Sequence, residues 1–106
     1  MTPRPFDIIR WESPKDPSLE LLSRMLLREG LESESHEVPP QTHTPEMKFD
    51  RKAVRALVAG SVQYSFPGYG VIELHPGDIL EILPDSLHDI IVSGNQPAIL
   101  LEAYRD

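Results

Sequence analysis

Four histidines, at positions 36, 43, 75 and 88, and a run of four bases, Lys48, Arg51, Lys52 and Arg55, are the residues of this chain best suited to chemistry. With no cysteine among 106 residues, thiolate nucleophiles, thiolate metal sites and disulfides are excluded. Any metal must then use imidazole or carboxylate ligands. No glycine-rich phosphate loop is present, and no Ser/His/Asp spacing stands out. After the base run, residues 56 to 104 carry six acids and no Lys or Arg. Such asymmetry reads first as a solvated loop and strand edge, since exposed charges contribute little singly, and second as a patch that steers an anion. His36 lies in an alternating polar segment and His75 beside the Pro76-Gly77 turn, and both read as surface residues. Tyr64, Phe66 and Tyr69 either line a cavity or, at spacing two, fill a core.

The scaffold that must position these groups is one small domain. A chain of this length buries about two-thirds of its unfolded surface, enough for one core and one site. A net charge of −7 argues against a general nucleic-acid or anionic-membrane surface. The longest apolar run is too short to cross a bilayer, and MTPRPFDIIRWE is not a signal peptide, so a soluble, cytoplasmic protein is expected. Residues 1–30 read as an N-terminal extension. Phe6 to Trp11 suits a short strand, and a helix is expected over 17–29, with Asp16 as N-cap, Pro17 at the first helical position and Gly30 as the left-handed stop. Its leucine stripe, Leu19, Leu22 and Leu26 beside Leu21 and Met25, must dock on the rest of the chain or on a partner subunit.

From Leu31 the apolar period changes from helical to two. Short strands are expected at 31–38, 53–59, 61–66, 71–74, 79–83, 87–92 and 98–104, with PPQTHTPEMKFD as a loop. Gly60, Pro67-Gly68, Pro76-Gly77-Asp78, Pro84-Asp85 and Ser93-Gly94-Asn95 mark the turns. The eleven prolines therefore read as strand punctuation, and the fold class as all-β, a double-sheet jelly-roll barrel over 31–106.

Residues 70 to 88, GVIELHPGDILEILPDSLH, resemble the second conserved motif of the cupin superfamily. In that motif a Pro-Gly-Asp turn is followed by a short apolar strand, a proline turn and a histidine eleven residues after the turn glycine. Gly77 and His88 stand at that separation. Upstream, AVRALVAGSVQYSF is similar to the strand, glycine and strand that close the first motif. The resemblance implies a double-stranded β-helix barrel and a homodimer. It also implies a metal site, but its ligand positions fall on Glu46, Lys48, Ala53 and His88, so three of the four are changed. With His43 three residues before Glu46, the set His43, Glu46 and His88 is the candidate for Fe, Mn, Zn or Ni. Lys48 would place a cation beside that metal.

Arg55 falls two residues after the position of the family's glutamate, where the pattern points into the barrel. The apolar alternation of Val54, Ala56 and Val58 argues the opposite phase, and the sequence leaves both open. An inward Arg55 needs a partner, either Glu46 or a bound carboxylate or phosphate. The expected function is binding of a small anionic organic ligand, with Arg55, Lys48 and Tyr64 as ligand-binding residues. The alternative is a metal-dependent dioxygenase, isomerase or lyase acting on a small organic acid.

Overall fold

A strand that is apolar on both faces must be covered on both sides, and residues 52 to 59, KAVRALVA, are such a strand. In the computed structural model, which describes residues 4–105, both covers are visible. The elements in chain order are β1 (Phe6–Ile9), α1 (Leu19–Arg28), β2 (Glu34–Val38), β3 (Thr42–Met47), β4 (Lys52–Ala59), β5 (Val62–Phe66), β6 (Gly70–Leu74), β7 (Ile79–Ile82), β8 (His88–Val92) and β9 (Ala98–Arg105). They form two antiparallel sheets, β1-β7-β4-β9-β2 and β3-β8-β5-β6, closed face to face as a double-stranded β-helix. Among the described residues no helix is long and apolar enough to cross a membrane.

The two faces of β4 belong to two cores. Ala53 and Leu57 point between the sheets and pack with Phe6, Tyr64, Phe66, Leu80, Ile82 and Leu100. Val54, Ala56 and Val58 point the other way, under Leu22 and Leu26 of α1. The leucine stripe thus docks on the chain's own larger sheet. Full burial of Leu22 and Leu26 contributes about 1.5–3 kcal/mol each.

Three expectations are corrected. The helix starts at Leu19, not at 17, because the Ser18 hydroxyl takes the capping position and accepts from the Leu21 N–H at 3.1 Å; Asp16 is not the cap. Its end follows the sequence more closely. Gly30 adopts φ 80°, Leu31 N–H donates to Leu26 at 3.0 Å, and Gly30 N–H donates to Leu27 at 2.9 Å, a Schellman closure. The segment read as a loop contains β3, an edge strand whose Pro45 and polar residues lack the usual strand signature. Finally, the N-terminal strand is built into the barrel: β1 pairs with β7, and Phe6 stacks on Phe66 at 4.7 Å.

A clamp at the 75–78 turn holds that N-terminal arm. The buried Asp78 carboxylate accepts from the Trp11 N–H at 2.9 Å, the His75 N–H at 2.9 Å and Arg10 Nη1 at 2.7 Å. Burial alone would raise the pKa of this carboxyl, but the two backbone N–H groups and Arg10 outweigh it and hold it below the usual range. A depressed folded-state value means that the stabilisation is complete above the unfolded pKa of about 3.9 and is lost as pH falls through the folded value. Urea unfolding between pH 6 and 2 should show this loss in the wild type, and Asp78→Asn should remove that share of the pH dependence. An unchanged acid limb in Asp78→Asn would assign the loss to other carboxylates.

Candidate functional site

Register fixes which side chains meet inside the barrel. β4 and β9 pair Ala53 with Tyr104, Arg55 with Glu102 and Leu57 with Leu100, so Arg55, Glu102 and Tyr104 share the inward face. Arg55 is 2% exposed. Its Nη1 donates to the carbonyls of Val54 at 3.0 Å and Ala103 at 3.3 Å, and its Nη2 donates to the Tyr104 hydroxyl at 3.0 Å. Nε lies 3.5 Å from Glu102 Oε2. The guanidinium sits 5.0 Å from the ring centroids of both Phe49 and Tyr104. Glu102 also meets His36 Nε2 at 3.3 Å, which in turn lies 3.5 Å from Glu34.

Opposite this cation, β8 and β5 contribute His88 and Tyr64. The residue paired with Tyr64 is Ile90, which makes His88 its diagonal neighbour on the same face. Both side chains are fully buried, their ring centroids 6.0 Å apart. His88 is walled by Phe66 at 5.5 Å and Phe49 at 5.9 Å. Its Nδ1 lies 2.9 Å from the Ser86 carbonyl. Burial, aided by Arg55, lowers the His88 pKa against the pull of Ser86 and Asp89, so the ring is neutral. Burial likewise pushes the Tyr64 hydroxyl up, which keeps it protonated. Tyr64 Oη and His88 Nε2 are the buried side-chain polar atoms that have no hydrogen-bond partner among the described residues.

The residues expected from the sequence divide by face. Arg55, Tyr64 and His88 come together inside. His43 and Glu46 do not join them: His43 is paired with Ile91, on the outer face of β8, and its Nε2 lies 3.3 Å from Asp89 Oδ2. Glu46 is exposed in a β-bulge at φ 53°, its N–H donating to Asp89 Oδ1 at 3.0 Å. That bond and the His43 contact lower the Asp89 pKa. Lys48 is exposed, and Ala53 offers no donor on the inner face. The donor set therefore does not fit the metal that the fold family implies: of His43, Glu46 and His88 only His88 points inward. Among the described residues no three His, Asp or Glu side chains are grouped to hold an ion.

Phe49, Glu102, Tyr104 and His36 belong to the site and were not singled out for it in the sequence. Glu102 and Tyr104, following the core residue Leu100 at spacing two on the last strand, were the available signal for two of them. Shape gives a different answer from chemistry. A hollow of about 410 Å³, open to solvent, lies between α1 and the following segment, lined by residues including Glu20, Arg24, Leu27 and Glu32. It holds one exposed ion pair and none of the buried polar groups that a binding site uses, so the barrel interior is the better candidate.

No family model matches the chain, and no curated protein is similar to it. Solved structures are. A cupin 2 domain-containing protein from Halorhodospira halophila superposes with a TM-score of 0.67 at 21% identity, over 95% of this chain and 78% of that one. The polyketide cyclase RemF from Streptomyces resistomycificus gives a TM-score of 0.60 at 22% identity, over 72% of this chain and 55% of the cyclase. Acireductone dioxygenase from Bacillus anthracis, with a cadmium ion in its active centre, gives 0.57 at 15% identity, over 80% and 57%. The chain thus spans little more than half the length of either enzyme. At these identities the likeness establishes the fold.

Proposed function

The chain has the cupin fold, and on that barrel we propose that it binds a small organic carboxylate in the interior beside Arg55. The supporting observation is a buried arginine facing two orphaned polar atoms, Tyr64 Oη and His88 Nε2, across an interior otherwise walled by apolar side chains. A buried cation of this kind favours an anion, and a guanidinium presents paired N–H groups that match a carboxylate. Glu102 holds that place through one contact at 3.5 Å. Its side chain is 29% exposed and already shared with His36, so it can turn toward His36 and water when a ligand arrives. Phe49, on the segment between β3 and β4, roofs both Arg55 and His88, and a ligand enters where that ring now lies. Lys48 precedes it on the surface and adds a cation to the approach.

Catalysis through a resident metal finds no support in the donor set, although enzymes occur among the structures of this fold. Isothermal titration of the protein with acetate, pyruvate, 2-oxoglutarate and benzoate tests the binding reading. At least one should bind with a Kd below about 1 mM, and Arg55→Gln should weaken it about tenfold or more, the range of a lost charge-assisted hydrogen bond. Silence across the series, or affinity indifferent to Arg55, overturns it.

A further inference from the structure

Resting on the reading that Arg55 holds a carboxylate, we propose that the ligand is a hydroxy acid, its hydroxyl bound between Tyr64 Oη and His88 Nε2. Proton positions on the two side chains favour a hydroxyl. A carbonyl oxygen only accepts, so the 2.9 Å contact with Ser86 places the His88 proton on Nδ1 and leaves Nε2 as a bare acceptor. The Tyr64 phenol, kept protonated by burial, has a donor to offer. The pair therefore presents one donor and one acceptor from diagonal positions on β5 and β8.

The atom that satisfies both must accept one hydrogen bond and donate another. A hydroxyl does this with one oxygen. A ketone, ether or second carboxylate oxygen would leave Nε2 unpaired, and an ammonium would leave the Tyr64 proton without an acceptor. The surrounding walls, Phe66 and Phe49, supply no competing polar atom. Phe49 lies 5.0 Å from the Arg55 guanidinium and 5.9 Å from the His88 ring, so the carboxylate and hydroxyl subsites share one wall of the barrel interior. Burying two such groups with nothing between them disfavours the empty fold, a burden that a ligand hydroxyl relieves.

Matched acids test this by calorimetry: glycolate against acetate, lactate against propionate, and 2-, 3- and 4-hydroxybenzoate against benzoate. In the wild type the hydroxyl member of at least one pair should bind about tenfold tighter. Tyr64→Phe, nearly isosteric, should bring that pair within about twofold while keeping the affinity of the deoxy acid, and the ligand-free variant should melt higher than the wild type. If the members of every pair bind equally, or the preference survives Tyr64→Phe, the two atoms hold only water. The hydroxy-acid proposal then falls and the carboxylate reading stands. If neither member of any pair binds, both fall.

Discussion

Gly77→Ala is expected to destabilise the chain by about 3 kcal/mol or more, over a hundredfold in the folding constant. Gly77 adopts φ 97°, and a Cβ there would run into the indole of Trp11. Trp11 cannot easily yield, because its N–H donates to Asp78 at 2.9 Å and its Nε1 to the Lys15 carbonyl at 2.9 Å. The turn is also tied to the central strand: Gly77 N–H donates to Leu57 at 2.7 Å, and Leu57 N–H donates to Asp78 at 3.1 Å. Leu57 is two residues beyond Arg55, so a shift of this turn reaches the strand that carries the buried cation. Urea unfolding measures the loss, and the emission of Trp11, the only tryptophan, should move to the red in the folded variant. Gly68→Ala is the control, since Gly68 has φ 83° but open space around its Cα. It should lose only about 1–2 kcal/mol, the penalty of the left-handed backbone. Equal losses at the two positions would show that the indole gives way and that the clash is unimportant.

The barrel was legible because turn residues interrupt period-two runs at short intervals, a pattern that few folds share. The phase of β4 was not, and the reason lies in α1. Where a helix covers the outer face of a sheet, inward and outward residues are equally apolar, so Val54 and Ala56 are as well buried as a core-facing set and Val58 is partly covered. What distinguished the inner face was the one charged residue on it, Arg55. β3 escaped for the converse reason. An edge strand need not bury either face, and Pro45 with a bulge at Glu46 erased the alternation that marks a strand. The same strand keeps the expected metal ligands apart. A histidine three residues before Glu46 looks close enough to swing in, but His43 and His88 sit on opposite faces of paired strands. No loop movement short of re-registering β3 brings them together. Arg55, Tyr64 and His88 could each be named from residue type alone. Their meeting inside one barrel depends on strand pairings that a single sequence does not encode locally.

Arg55→Met is expected to cost about 3 kcal/mol, because it strands Glu102 at the barrel wall and releases the carbonyls of Val54 and Ala103. The figure lies at the low end of the range for a broken buried pair, since Glu102 keeps His36 and some solvent as alternatives. Adding Glu102→Met should recover most of that loss: replacing both charges by packed apolar groups removes two desolvation penalties together. Urea titrations on the wild type, the two single variants and the double variant give the coupling, expected at about 1 kcal/mol or more. The double variant is then a folded barrel of near wild-type stability with no cation to receive an acid, and its affinity for whichever of the four acids binds the wild type should be lost. If it instead remains as unstable as Arg55→Met alone, the arginine is a structural strut holding backbone carbonyls. If it folds well and binding disappears, the chain keeps a buried charge that its stability does not require, and the remaining reason to keep it is a ligand of opposite charge.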